Sequence, residues 1–332
     1  MFLPILEYLA ESFGPLRIFN YFTFRAILAT LTSLVFILLL GKTFIKFVAK
    51  QKYGQIIREE GPQSHLEKKG TPTMGGLLIL FSIVFSCLCW GDLNNKYLLI
   101  SIVVTFLFGV IGLIDDYLKL RFSDSKGLSG KSRLFWEILV AICASSLIYF
   151  YATSTEETTL FLPFFKDFAL QLGIWFIFFS SLVLVATANA VNLTDGLDGL
   201  AIMPSVMVAA GMGIIAYISG NAILSDYLNV PYLFYSTEIV IFCGALVGAG
   251  IGFLWFNTYP AQIFMGDVGS LSLGAALGII AVSIRQEFIL MLMGGVFVLE
   301  TLSVILQVAS FKLTGKRIFK MAPLHHHFEL SG

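Results

Sequence analysis

The 332-residue chain is 57% hydrophobic and only 13% charged, with a mean hydropathy of +0.87, whereas a soluble domain carries about 25% charged residues. That balance excludes a water-soluble globular protein, and a formal net charge of zero leaves no electrostatic footprint for nucleic acid. The expected fold class is an all-α polytopic membrane protein, a multi-span helical bundle in which residues 1–332 form one integral-membrane domain.

A hydrocarbon core about 30 Å thick needs about 20 apolar residues of helix. In chain order, suitable runs fall at 22–48, 72–90, 97–116, 134–152, 168–188, 200–219, 239–256, 271–284 and 288–311. That makes nine spans, of which the eighth is short, glycine-rich and the weakest by pattern. No basic stretch precedes a cleavable apolar core at the amino terminus, so no signal peptide is expected. Cys87, Cys89, Cys143 and Cys243 all lie inside apolar runs and read as small buried hydrophobes, not as a disulfide or metal framework.

Basic residues set the orientation. The connections after spans one, three, five and seven, with the C-terminal tail, hold 16 of the 21 Lys and Arg residues. Only Arg17, Arg25, Lys96, Lys166 and Arg285 fall on the other side. The positive-inside rule places the first side in the cytoplasm and the amino terminus outside. All four histidines and the densest polar clusters share the cytoplasmic side.

Four of those clusters carry chemistry. "SHLEKKGTPTMGG" (64–76) sets His65, Lys68 and Lys69 before a turn containing Thr73 and a Gly-Gly pair at the start of span two. A helix N-terminus with lysines nearby suits an anion, although an ordinary basic membrane-flanking loop has the same composition. "DDYLKLRFSDSKGLSGKSR" (115–133) opens on Asp115 and Asp116 at the end of an apolar run. An ionised carboxylate at the bilayer centre costs roughly 2.5–3.5 kcal/mol, so two in succession at the end of a span call for a reason. Neighbours on a helix point about 100° apart, so the two are expected to hold different roles. "GLSGKS" lacks the glycine a phosphate-binding P-loop needs, since Ser125 stands there. Lys119, Lys131 and Arg133 suit phosphate contacts or a solvated basic face.

In "NAVNLTDGLDGL" (189–200), Asn189, Asn192, Asp195 and Asp198 recur every three residues, which places them along one side of a helical or 3₁₀ turn. In "FNTYPAQIFMGDVGSLSLG" (256–274), Asp267 lies between Gly266 and Gly269, where it suits either a ligand or an N-cap. Phe264, three residues earlier, suits stacking on a base or an ordinary interfacial aromatic. Within the ninth span, Glu300 shares a helical face with Ser303 and Gln307. An ionisable group inside the membrane is a functional candidate by default, and interhelical hydrogen bonding is the alternative. "APLHHHFE" places His325, His326 and His327 near the end.

Carboxylates and amides suit Mg²⁺, a hard cation that leaves room for substrate phosphates, and lysines and histidines neutralise phosphate oxygens. The inventory is that of phosphoryl transfer at a membrane surface. A transporter or lipid flippase is the rival from another class, but it would place its polar residues near the bilayer midplane, and these cluster at one face.

Taken together and in this order, "GTPTMGG", "DDYLK" with "KGLS", "NAVNLTDGLDGL", "FMGDVGSLSLG" and "APLHHHFE" resemble the bacterial phospho-N-acetylmuramoyl-pentapeptide transferases. These form a branch of the polyprenyl-phosphate N-acetylhexosamine-1-phosphate transferase superfamily. The resemblance runs from about residue 54 to the end, and "PLHHHFE" with "NLTDGLDGL" separates this branch from the related N-acetylglucosamine-1-phosphate transferases. It implies an enzyme of the bacterial cytoplasmic membrane with a cytoplasmic cleft and a ten-helix fold, often dimeric. This chain stops after nine spans, where the resemblance implies a tenth. The implied reaction joins UDP-N-acetylmuramoyl-pentapeptide to undecaprenyl phosphate, giving lipid I and UMP, with Mg²⁺, in the first membrane step of peptidoglycan synthesis. By the same resemblance, Asp267 is the chief Mg²⁺ ligand, Asp115 holds or activates the lipid phosphate, and Asp116 supports it. Asp195 and Phe264 would hold the uracil. Asn189, Asn192, Asp198 and Asn257 would line the nucleotide and diphosphate site. Lys68, Lys131 and His325, His326 and His327 would meet phosphates or the sugar-peptide, with Thr73, Gln307 and Glu300 elsewhere in the cleft.

Overall fold

The computed structural model describes residues 2–51, 70–122, 127–163, 165 and 169–331. Helix α1 (Leu3–Ser12) and a 3₁₀ turn (Gly14–Asn20) lead into α2 (Phe22–Lys50), followed by α3 (Gly76–Trp90), α4 (Lys96–Phe122) and α5 (Gly130–Tyr151). A two-stranded antiparallel hairpin, β1 (Thr159–Phe161) and β2 (Ala169–Gln171), pairs Leu160 with Leu170. Then come α6 (Trp175–Thr194), α7 (Ile202–Ser219), α8 (Ala222–Leu228), α9 (Ser236–Asn257) and α10 (Gly266–Ser283). The chain closes with α11 (Glu287–Met293), α12 (Gly295–Thr314) and α13 (Leu324–Glu329).

Among the described residues, eight helices are long and apolar enough to cross a membrane, and α3, at 15 residues, is shorter. The chain is an all-α multi-pass membrane protein. Each of the nine apolar runs has become helix, with two changes. The run at 168–188 begins as strand β2, and its helix starts only at Trp175. The run at 288–311 is broken at Gly294 into α11 and α12. Of α12 only Phe297, Glu300 and Ser303 are buried. Three residues at i, i+3 and i+6 make a single narrow stripe, so most of this helix faces outward. Cys143 also faces outward, contrary to its reading as a buried hydrophobe, while the other three cysteines are buried.

The run that looked weakest is the axis of the molecule. Every residue of α10 from Val268 to Ser283 is buried, and α3, α4, α6, α7, α9 and α11 all pack against it. Lipid offers no hydrophobic drive for helices to associate, so close packing of small residues supplies it instead. The glycines, alanines and serines that lower the hydropathy of α10 are the residues that let six neighbours approach. Hydroxyls add polar ties between spans: Ser82 donates to the Ser33 carbonyl at 2.8 Å and Ser86 to the Ala29 carbonyl at 2.7 Å, joining α3 to α2. At the end of the bundle away from Asp115, Arg25 forms a two-pronged pair with Glu238 at 2.6 and 3.1 Å. Glu238 also accepts the Asp92 amide at 2.8 Å. A buried charge needs such pairing, and this one ties α2 and α9 to the turn after α3.

Candidate active site

Asp115 and Asp116 lie seven residues or fewer before the end of α4, and Asp267 lies in the first turn of α10. One oxygen from each of the three converges so that all lie within 4.8 Å of one another. Adjacent on α4, Asp115 and Asp116 both come within reach of Asp267 at the start of α10.

Two glycines make that approach possible. A side chain at Gly112, one turn before Asp116, would strike the Asp267 carbonyl, so only glycine lets α4 and the start of α10 touch. Gly266 has φ 73°, a left-handed conformation that glycine adopts without cost. A Cβ there would sit 2.6 Å from Asp116 Oδ2 and 3.1 Å from Thr73 Oγ1. The loop before α3 locks this turn in place. The Gly75 amide donates to the Phe264 carbonyl at 2.9 Å, Gly76 to Met265 at 2.8 Å, and Phe264 to Pro72 at 2.8 Å. Thr73 and Phe264 therefore border the aspartates through one backbone junction.

Each aspartate has its own partners. The Val268 amide donates to Asp116 Oδ2 at 3.2 Å. That N–H belongs to the first turn of α10, where no intrahelical acceptor exists, so Asp116 caps α10 from a neighbouring helix. Asp115 Oδ1 accepts the Leu128 amide at 2.6 Å. Lys119 Nζ lies 2.5 Å from both Asp115 Oδ2 and Asp267 Oδ2. Asp267 Oδ1 accepts from Asn192 Nδ2 at 2.8 Å, and the same amide reaches Ser270 Oγ. A carboxylate in the first turn of a helix is further stabilised by the helix dipole.

A second layer stands behind Asp267. Arg133 Nη1 lies 3.8 Å from Asp267 Oδ2, its Nη2 donates to Asn189 Oδ1 at 3.3 Å, and its Nε lies 3.5 Å from Glu137 Oε1. Asn189 Nδ2 donates to Glu137 Oε2 at 2.5 Å. Glu137, wholly buried, is a site residue the sequence reading did not single out. The signal was there, a lone carboxylate inside an apolar run one turn after Arg133. Of the two basic residues weighed at the start of α5, Arg133 reaches the aspartates, while Lys131 is exposed.

The three-residue spacing of Asn189, Asn192, Asp195 and Asp198 does not make one face. Helix α6 ends at Thr194, so the two asparagines point to Arg133 and Asp267 while the aspartates follow the chain into a loop. Asp198 Oδ2 accepts the Ala261 amide at 3.1 Å. Asp195 is partly accessible yet surrounded by protein. Its carboxyl is held far above the usual range, at about 8, first by burial and then by the charges of Asp267, Asp116 and Asp198. Asn257 is buried and joins two loops, accepting from the Gly199 amide at 3.1 Å and donating to the Ile263 carbonyl at 2.9 Å.

The C-terminal residues fold back toward this loop. His325 is buried, its backbone amide 3.3 Å and its Nδ1 3.2 Å from Glu300 Oε2. Burial and neighbouring His326 lower its pKa, against the pull of Glu300. A side chain at Gly196 would collide with its ring. Glu300 is thus no isolated intramembrane carboxylate; its partner comes from α13. His326 contacts Glu329 at 2.9 Å, and His327 Nδ1 accepts the Lys320 amide at 3.1 Å. Gln307 clasps the backbone of Ile318 and Phe319, accepting both amides and donating to the Phe319 carbonyl. Lys68, with His65 and Lys69, lies outside the described residues.

The glycosyl transferase family 4 profile matches residues 98–285, more than half of the chain, and that stretch contains all three converging aspartates, Glu137, Asn189 and Asn192. The phospho-N-acetylmuramoyl-pentapeptide-transferase signature 1 matches residues 68–80, a stretch that includes Thr73, Met74, Gly75 and Gly76, the residues that meet the turn around Gly266.

Proposed function

The chain belongs to glycosyl transferase family 4, as a member of the polyprenyl-phosphate hexosamine-1-phosphate transferases carrying the phospho-N-acetylmuramoyl-pentapeptide-transferase signature, and from that premise we propose that it transfers phospho-N-acetylmuramoyl-pentapeptide from its UDP conjugate to undecaprenyl phosphate. The observation that carries this reading is the convergence of Asp115, Asp116 and Asp267 beside Lys119 and Arg133 at one end of the bundle. The basic residues gathered at that end support a cytoplasmic site.

In this reading an oxygen of the lipid phosphate attacks the sugar-bearing β-phosphorus, and the bond to the bridging oxygen breaks to release UMP. Little covalent work falls to protein in such a transfer; positioning and charge stabilisation dominate. Asp115, fixed by the Leu128 amide, takes a proton from the incoming phosphate when it arrives protonated. Lys119 and Arg133 neutralise the oxygens around the transferring group. Asp116 holds the first turn of α10, and with it Asp267, in register. The three carboxylates fit a Mg²⁺ site: their oxygens converge from two rigid helices, and an all-oxygen donor set is what that ion takes. Asp267, Asp115 and Asp116 would hold it, and when bound it would neutralise charge on the diphosphate.

The test is UMP release by the purified protein given undecaprenyl phosphate, Mg²⁺ and either UDP-N-acetylmuramoyl-pentapeptide or UDP-N-acetylglucosamine. Release with the first alone is expected; release with the second alone would assign the chain to the sister activity. Full turnover in excess chelator would remove the metal from the scheme.

Asp195 supplies a pH dependence. With its pKa near 8, it is protonated at neutral pH and can both donate and accept, matching the N–H and C=O edge of uracil. Above pH 8 it loses the proton and the donor, so KM for the UDP-sugar should rise with pH there. In Asp195→Asn, whose amide donates at every pH, that rise should flatten. Asp195→Ala should raise KM by ~10-fold with little change in kcat, because the contact is made equally before and during the reaction. A pH-independent KM in the parent protein would remove Asp195 from uracil recognition.

A further inference from the structure

Lys119 links the two helices that build the site. Its ammonium lies 2.5 Å from an oxygen of Asp115 on α4 and 2.5 Å from an oxygen of Asp267 on α10. Three carboxylates this close repel one another strongly unless a cation lies among them. Among the described residues Arg133 is the other cation at Asp267, but it stands farther off, at 3.8 Å, and is shared with Asn189 and Glu137. The surroundings fix the anions more firmly than the cation. The Leu128 amide pins Asp115, Asn192 pins Asp267 and Val268 pins Asp116. The Lys119 side chain is 28% exposed while that of Asp115 is 3% exposed, so the lysine has an open route to solvent and the aspartate does not. A flexible four-carbon stem carrying a point charge suits movement in and out of such a gap.

We propose that Lys119 is a resident counter-cation of the metal site: it neutralises and spaces Asp115 and Asp267, and it withdraws from between them when a divalent cation enters. This rests on the metal-site reading above. A divalent cation that takes its ligands from Asp115 and Asp267 meets an ammonium already held 2.5 Å from an oxygen of each, and the two cations repel each other across that gap. Lys119 therefore competes with the metal. It keeps the anionic end of the bundle ordered without metal and weakens metal affinity in return.

The experiment uses the full chain in detergent micelles, with Mn²⁺ alone as the probe and free Mn²⁺ read by electron paramagnetic resonance. Lys119→Met and the polar Lys119→Gln remove the competitor and should each bind Mn²⁺ ~10-fold tighter than the parent, the scale of a lost close charge pair. Lys119→Arg keeps the charge and should bind close to the parent value. Thermal unfolding gives a second readout: in chelator the neutral variants should melt below the parent, and Mn²⁺ should raise their Tm by more than it raises the parent's. Neutral variants that bind Mn²⁺ no tighter than the parent would overturn the role of Lys119 and leave the metal site standing. An equal tightening in Lys119→Arg would also overturn it, by assigning the effect to shape. No Mn²⁺ binding to parent or variants would remove the metal site itself, and this proposal with it.

Discussion

Replacing Asp267 by asparagine should lower kcat by ~100-fold or more while changing KM for the UDP-sugar far less. The substitution is conservative in shape: an asparagine oxygen still accepts from Asn192, which holds the side chain in place. What disappears is the charge that faces Lys119 at 2.5 Å and Arg133 at 3.8 Å. Charge builds on the leaving oxygen as its bond to phosphorus breaks, so a group that organises cations around the diphosphate acts mainly in the transition state. Steady-state kinetics at saturating lipid phosphate separate the two parameters. A variant with near-normal kcat and a raised KM would make Asp267 a substrate-binding residue only.

The second large effect is expected at a residue that carries no charge itself, in Gly112→Val. No space exists at Gly112, because the Asp267 carbonyl and the Val268 amide lie directly against it. Overpacking of this kind typically costs 1–3 kcal/mol, so the variant should melt lower but fold. The strain falls on the α4–α10 contact, one turn from Asp116, and so separates the three aspartates. A 1 Å misplacement of reacting groups costs ~100-fold, so activity should fall by that order while Tm falls by only a few degrees. The control is Gly130→Val, at a glycine with open space around it. A Gly112→Val protein with parental activity would show that the contact does not set the geometry of the site.

Sequence alone reaches the spans and the three aspartates, because both are written in local contrast: long apolar runs, and charges that interrupt them. It misjudges α10 for a physical reason. Hydropathy scores contact with lipid, and α10 touches almost none, so its glycines and serines read as weakness when they are what packs it at the centre. Residue spacing fails at Asp195 because a period of three holds only while the helix lasts, and α6 ends at Thr194. The hydrogen bonds of Asn257 and Gln307 are not written in local sequence, because their partners are backbone groups brought close only by the fold. Glu137 is the converse case. Nothing near it in sequence except Arg133 explains its burial, and Asn189, its hydrogen-bond partner, lies 52 residues away.

The complete burial of α10 from Val268 onward also has an entropic side. Asp267 stands one residue before that enclosed rod, and contacts with α4 and with the start of α3 fix where the rod begins. The freedom a mobile loop carboxylate would lose on meeting a substrate has already been lost when the chain folds. Binding free energy from the nucleotide and the lipid is then not consumed in ordering this residue, and more of it remains for drawing two anionic phosphates together.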